Sequence, residues 1–308
     1  MRLREREQFN RYKHSKFAAE QILKDMLPLK NFQIALKVFG KFENLFPKRF
    51  SRKQTKRKEG FRKESRVFKM NIYKSYDIGA LLRKNSYPGR GIIVGKSRNG
   101  KYAVTAYFIM GRSENSRNRV FNDFGDEVMI HPFDASKVED PSLIIYSPVK
   151  RLDKKLIVTN GDQTETIYQG LLAGKSFEDA LMTRKFEPDA PNFTPRISAM
   201  LDFSEGFSYK MSILKSADAE GSACNRYTYA YEPVDGLGHF IHTYKCDGNP
   251  IPTFQGEPER VNILNSIDAF TNKIWNSLNE ANKISLFVRY VSLASGRSTT
   301  RIINKNQK

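Results

Sequence analysis

Over residues 91–293 apolar side chains fall mainly at alternate positions or in short unbroken runs, the pattern of strands, with helical spacing in a few stretches. Residues 92–94, Ile-Ile-Val, make a short buried run. Arg98-Asn99-Gly100 is a hairpin-type turn in which Asn-Gly supplies positive φ, and residues 101–110 return as a strand rich in β-branched and aromatic side chains. Antiparallel pairing about that turn brings Arg90 and Arg112 to one end of neighbouring strands. Further strands are predicted over 128–131, 143–146, 156–159, 197–203, 207–214, 226–231, 239–246 and 284–293. A helix is predicted over about 165–173, capped by Asp162 or Thr164. Another starts at Ser176, where Asp179 completes a capping-box pattern. A third is predicted over 258–280, where Val261, Ile263, Leu264, Ile267, Phe270, Ile274, Trp275 and Leu278 share one apolar face. Helices following a run of strands predict an α+β protein with a helical layer on a mainly antiparallel sheet.

Residues 1–69 break from that pattern. Segments 18–26 and 32–39 have helix-compatible spacing, but 52–69 is mostly charged. This leader holds 21 Lys and Arg against 7 Asp and Glu, whereas residues 70–308 hold 31 against 26, so the net charge of +19 belongs mainly to the leader. The imbalance allows nucleic-acid binding by the leader and weakens it for the rest. Its seven acidic residues argue against a transit peptide. Met70 opens the strand-rich sequence, and the expectation is a basic, dispensable extension over 1–69 with Met70 as the functional start of a domain spanning 70–308. Cys224 and Cys246 supply neither a disulfide framework nor a zinc ligand set. There is no apolar run of bilayer-spanning length and no secretory signal pattern, so a soluble, cytoplasmic protein is expected.

Several familiar motifs fail on inspection. Gly95-Lys96-Ser97 resembles the end of a P-loop, but the position that must be glycine is Arg90. No dinucleotide-binding glycine motif stands at a strand-to-helix turn, and there is no serine nucleophile elbow. His239 and His242 are three apart in a predicted strand and so point to opposite faces, which excludes a zinc pair; His131 stands alone at a strand end. Three polar blocks remain. Residues 107–119 run from a strand end into Arg112, Ser113, Arg117, Asn118 and Arg119, and arginine forks suit phosphate or carboxylate. Asn160-Gly161-Asp162 precedes a predicted helix whose first N–H groups suit an anion or oxyanion. Residues 186–198 form a loop stiffened by three prolines that carries Glu187, Asp189, Asn192, Thr194 and Arg196.

Taken in order, Tyr-Pro-Gly-Arg-Gly at 87–91, Gly-Arg-Ser at 111–113, Asn-Arg at 118–119, Thr-Asn-Gly at 159–161 and Asn-Phe-Thr-Pro-Arg-Ile at 192–197 resemble the archaeal-type IMP cyclohydrolase family, which also has bacterial members. The resemblance runs over most of 70–308 and does not touch the leader. It implies a four-layer αββα sandwich of the N-terminal-nucleophile hydrolase-like type. It implies closure of 5-formamidoimidazole-4-carboxamide ribonucleotide to IMP with loss of water, the last step of purine synthesis, without metal, nicotinamide or folate. With no evident N-terminal Cys, Ser or Thr, covalent hydrolase chemistry is not expected. The expected roles are acid–base work by Glu187 and proton donation by Tyr146, which resembles a family position. Arg119 and Asn160 complete the catalytic group, with an oxyanion site at Asn160 and the N–H groups after Gly161. Substrate contacts are expected from Arg90, Arg112, Ser113, Asn118, Gly161, Asp162, Asn192, Thr194 and Arg196. The chain departs from the shorter archaeal form by inserting Ser116-Arg117 and by a longer C-terminal half that includes 247–258. The expected partners are a purine ribonucleotide and, with no second catalytic domain visible in the sequence, a separate upstream formyltransferase; the sequence does not fix the oligomeric state and leaves a homo-oligomer open. The alternatives are an amide hydrolase on the same fold and an RNA-binding protein acting through the leader.

Overall fold

A computed structural model describes residues 73–138 and 146–307. The leader, and the expected strand over 143–146 apart from Tyr146, lie outside the described residues. Helix α1 (Ile78–Lys84) precedes the hairpin of β1 (Arg90–Lys96) and β2 (Tyr102–Met110), whose turn has Gly100 at φ +70°. A short helix α2 (Glu114–Arg117) leads to β3 (Val120–Asp123) and β4 (Glu127–His131). Strands β5 (Val149–Leu152) and β6 (Lys155–Thr159) follow, then α3 (Gln163–Leu172) and α4 (Phe177–Leu181). Next come β7 (Arg196–Asp202), β8 (Ser208–Ser216), β9 (Cys224–Tyr231), β10 (Leu237–His242) and β11 (Glu259–Asn262). Helix α5 (Ile267–Ser277) and strands β12 (Lys283–Ser292) and β13 (Ser298–Asn304) complete the described chain.

Two antiparallel sheets result, one of order β11-β10-β1-β2-β12-β13 and one of order β3-β4-β5-β6-β7-β8-β9. The main core lies between them. Ile92, Val94, Tyr107 and Ile109 from the first sheet meet Phe121, Ile130, Val158, Ile197, Ala199 and Met211 from the second. The opposite face of the first sheet, with Val104, Ala106 and Phe108, packs under Ile78 and Leu82 of α1 and Phe270 and Ile274 of α5. The opposite face of the second, with Ile157, Met200 and Leu214, packs under Ile167 of α3 and Phe177 and Leu181 of α4. Strand β2 is therefore buried on both faces, which is why its sequence is a nearly unbroken apolar run instead of an alternating one.

Ser176 caps α4 as expected: its hydroxyl accepts from the Asp179 N–H at 3.0 Å and donates to the Asp179 carboxylate at 2.7 Å, in place of the carboxylate's bond to the Ser176 N–H in a full capping box. Two readings change. The expected helix over 258–280 is a strand at Glu259–Asn262 followed by a helix that begins only after Ser266, whose hydroxyl caps Ala269 N–H at 3.2 Å. Residues 243–246 leave the expected strand after His242, where the chain enters a loop.

Candidate functional site

The polar blocks meet at one end of the space between the sheets. Arg90 opens β1 opposite Ile109, near the end of β2, while the second sheet contributes the end of β6 and the start of β7. Arg90 donates weakly to the Met110 carbonyl at 3.4 Å. Burial penalises its cation, but the phenols of Tyr87, Tyr244, Tyr107 and Tyr146 around it more than offset that and raise its pKa. Gly89, at φ +76°, makes the turn into Arg90 against the Tyr244 ring; a methyl group there would lie 2.4 Å from that ring. Tyr87 stacks on Tyr244 at 5.8 Å.

Arg119 is the decisive residue. It is 9 % exposed, its Nε has no hydrogen-bond partner, and no ion pair holds its guanidinium among the described residues. Burial lowers its pKa, as does the Arg90 cation beside it, and nearby Glu187 acts in the opposite sense. Buried guanidiniums are ordinarily paired, and among the described residues no carboxylate pairs with this one.

Glu187 is coupled to Arg90, Arg196 and Arg119 but hydrogen-bonds to none of them. Burial raises its pKa, the guanidiniums lower it, and the net shift is upward. Its backbone N–H donates to Thr194 O at 2.9 Å, which folds the proline-rich loop back on itself. Tyr146 donates to the Asn160 carbonyl at 2.8 Å and lies 3.3 Å from the Tyr107 hydroxyl; burial raises the pKa of both phenols. Gly161 closes the site on the β6 side. A methyl group on it would lie 2.6 Å from Arg196 Nη1 and 3.5 Å from Glu187 Oε1.

Other expected residues are used by the framework. The Asn160 carbonyl oxygen of the side chain accepts from Ile197 N–H at 2.8 Å and Gln163 Nε2 at 2.9 Å, and its amide donates to Pro195 O at 2.9 Å. That side chain therefore ties β6 to β7 through its oxygen and one of its two N–H groups. Asn118 is bonded both ways to the Asp134 backbone at 2.7 Å, and Ser113 caps α2 through Ser116 N–H at 3.2 Å. Asp162 stands at the start of α3 but makes no side-chain cap, because its carboxylate pairs with Arg196 at 2.6 Å and with Arg184. Those two guanidiniums hold its pKa down against the opposing effect of burial. The Thr164 hydroxyl turns back to Gly161 O at 3.2 Å and does not cap either. Among the described residues the Asp162 and Gln163 N–H groups at the head of α3 have no acceptor. Arg196 is thus partly spent, also donating to Gln163 Oε1 at 2.8 Å. Thr194 donates to Asp189 and lies 2.6 Å from the Tyr244 hydroxyl, whose pKa burial pushes up to about 12. Asn192 accepts from Ile251 N–H at 3.0 Å and so anchors the loop after β10. Arg112 leaves the strand end that it was expected to share with Arg90 and reaches the rim, where it pairs with Asp247 at 2.7 Å.

Tyr107, Tyr87, Tyr244 and Asp189 were not among the expected site residues. Tyr107 carries a usable signal, a phenol on the core face of a buried strand that needs a polar partner. Tyr244 carries none, since it arrives only because β10 pairs with β1. The histidines have packing partners: His239 Nδ1 is 2.7 Å from the Tyr209 hydroxyl, and His242 Nδ1 is 2.8 Å from Tyr244 O. Among the described residues no His, Cys, Asp and Glu group is arranged to hold a metal ion, and no helix is long and apolar enough to cross a membrane.

The family described as IMP cyclohydrolase-like protein matches residues 87–296, a span that contains every group just described. The chain belongs to this family. It is similar to the IMP cyclohydrolase of Methanocaldococcus jannaschii, at 30% identity over 175 residues that cover 56% of this chain and 81% of that protein. The IMP cyclohydrolase of Methanococcus aeolicus is 31% identical over 165 residues, 52% of this chain and 75% of its own. That of Methanopyrus kandleri is 26% identical over 181 residues, 55% and 89% respectively. The family match begins at residue 87, so the basic leader lies wholly outside it.

Proposed function

We propose that this chain is an IMP cyclohydrolase, closing 5-formamidoimidazole-4-carboxamide ribonucleotide to IMP and water on the proline-rich-loop side of Arg119. The observation that carries the reading is the buried Arg119 guanidinium, whose Nε has no partner among the described residues, beside Arg90 and Glu187 and inside the span that matches the family. The two packed sheets with helices on each outer face support the four-layer αββα, N-terminal-nucleophile hydrolase-like assignment. A cytoplasmic location, a separate upstream formyltransferase and a leader that the reaction does not need belong to the same proposal.

The chemistry follows from the groups present. The carboxamide nitrogen attacks the formyl carbon within one molecule, so holding the two in near-attack geometry removes much of the barrier. Arg90, Arg112 and Arg196 bind the phosphate and carboxamide oxygen. The formyl oxygen gains negative charge beside Arg119, which stabilises it, and the Tyr146 O–H turns from the Asn160 carbonyl to donate to it. The Glu187 carboxylate takes one proton from the attacking nitrogen and passes it to the carbinol oxygen. The C–O bond breaks, the formamide nitrogen loses its proton, and water departs with both protons. A carboxyl whose pKa is raised by burial holds a proton more readily than a solvated one, which suits it to accept and return one.

The test is IMP formation by the full-length chain from the formylated ribonucleotide, without added metal or folate. Wild-type turnover is expected, with Glu187→Gln reducing kcat roughly 10²–10⁴-fold and Arg119→Met reducing kcat/KM about 10²–10³-fold. A folded wild-type chain that forms no IMP would sink the assignment.

A further inference from the structure

We propose that Asp247 is a positioning residue that acts through Arg112: it holds the Arg112 guanidinium at the rim of the site as a competitor for the phosphate of the substrate. The proposal rests on the cyclohydrolase reading and adds a determinant of substrate affinity from the loop after β10. Arg112 Nη1 lies 2.7 Å from Asp247 Oδ1 and 3.0 Å from Gly248 O. The guanidinium also lies over the Tyr87 ring at 5.1 Å, and Tyr87 in turn stacks on Tyr244 and contributes to the field at Arg90. Arg112 is therefore continuous with the wall of the site but turned toward the loop.

The loop that carries Asp247 is fixed from the end of α1, the proline-rich loop and the second sheet. Asn85 Nδ2 donates to Lys245 O at 3.0 Å, Lys245 N–H pairs with Pro252 O at 2.8 Å, and Asn192 holds Ile251 N–H. On the side of the second sheet Lys215 Nζ donates to Phe254 O at 3.1 Å and Gln255 Oε1 at 2.8 Å. Asp247 itself accepts from Gly248 N–H at 2.9 Å, which orients its carboxylate. Asp247 is thus placed by the fold, and it is Arg112 that moves between partners.

The pair is suited to exchange. Its side chains are 40% and 44% exposed, whereas the Arg196 side chain in the Asp162 pair is only 12% exposed. Solvent-screened pairs contribute little. A phosphate monoester carries more charge than a carboxylate and offers three acceptor oxygens, so it displaces Asp247 from the Arg112 fork. Asp247 then leaves a like charge close to the bound phosphate, and its effect falls on affinity and not on the chemical step.

The experiment compares full-length wild type with Asp247→Asn, Asp247→Glu, Arg112→Met and the double variant Arg112→Met/Asp247→Asn. Asp268→Asn serves as a control, because it breaks another exposed arginine pair, with Arg301 at 2.7 Å. KM and kcat for ring closure are measured beside the calorimetric Kd for inorganic phosphate. Asp247→Asn is expected to lower KM and the phosphate Kd about threefold with kcat unchanged, the scale of one exposed pair. Asp247→Glu restores both values and Asp268→Asn changes neither. Arg112→Met raises KM, and adding Asp247→Asn to it gives no further gain. A rise in KM for Asp247→Asn, no change in it, or an equal gain in the Arg112→Met background would each overturn the proposal. If wild type formed no IMP while phosphate still bound threefold tighter to Asp247→Asn, the exchange would stand and the assigned reaction would fall. Normal wild-type turnover with KM and Kd unmoved by Asp247→Asn would leave the reaction standing and sink the exchange.

Discussion

Glu187 shows how one residue is set by opposing effects. Burial disfavours its charge, three guanidiniums favour it, and the first prevails. Its native-state pKa lies above the ordinary 4.5, so the native chain keeps this proton at pH values where the unfolded chain has lost it. Stability is therefore lost as pH rises through that window. Glu187→Gln removes the titration. It is expected to stabilise the protein at neutral pH by on the order of 1 kcal/mol, the scale of one incompletely compensated buried charge, while abolishing most turnover. The gain should vanish below about pH 4.5. Thermal unfolding of both proteins from pH 4 to 8 checks the sign; a Gln variant less stable at pH 7 would show that the guanidiniums, not burial, dominate. Sequence alone offered Glu187 as an acid in a stiff loop and gave equal standing to Asn160, whose side-chain oxygen and one N–H the fold uses in joining two strands.

At the scale of elements, the false P-loop at Gly95 has a packing explanation. Gly95 pairs directly with Gly238 across β1 and β10, and Ile263 packs over both. A methyl group on Gly95 would lie 2.4 Å from Gly238 Cα and 2.5 Å from Leu237 O. Those atoms are backbone and cannot step aside as a side chain would. Gly95→Ala should gain roughly 0.4–1 kcal/mol from a stiffer unfolded chain and lose about 1–3 kcal/mol or more to overpacking. A net loss is expected, read as a lower denaturant midpoint; an unchanged midpoint would mean that the strand pair can spread. The misread helix over 258–280 belongs to the same region. Apolar residues at 261, 263 and 264 fit either period, and only the register of residues 259–262 against β10 makes that part a strand and leaves 263 and 264 in the connection to α5.

Across the whole molecule, the far edges of the two sheets are joined by polar groups. Asn304 of β13 accepts from Phe121 N–H at 2.8 Å and donates to Phe121 O at 3.0 Å, which serves as a bridge between sheets. Arg289 of β12 is 1% exposed and pairs with Asp123 of β3 at 3.1 Å. Burial lowers the pKa of Arg289, and Asp123 acts to raise it. Asp123→Asn keeps the shape and leaves the cation buried without its counter-charge. A loss of about 1–3 kcal/mol is expected, below the range for fully buried pairs because Asp123 is partly exposed. Arg289→Met should cost less, since it removes the charge that needs a partner. Chemical denaturation orders the two variants, and a more stable Asp123→Asn would show that the pair does not hold the sheets together.

Local and repetitive features follow from the amino-acid order: the antiparallel hairpin about Gly100, the cap at Ser176, most strand positions and the polar blocks that mark the family. Each depends on nearest-neighbour physics, on side-chain period, turn dihedrals or residue identity at short spacing. Which polar groups are left to meet a ligand is a matter of packing in three dimensions. Asn118, Asn160 and Asp162 read as site residues but are satisfied by backbone and guanidinium partners distant in sequence. Arg119 lies in the same block as Asn118, yet its buried Nε meets no acceptor among the described residues. Tyr244 and Asp247 reach the site through sheet pairing and loop packing, long-range constraints that leave no mark in the residues beside them.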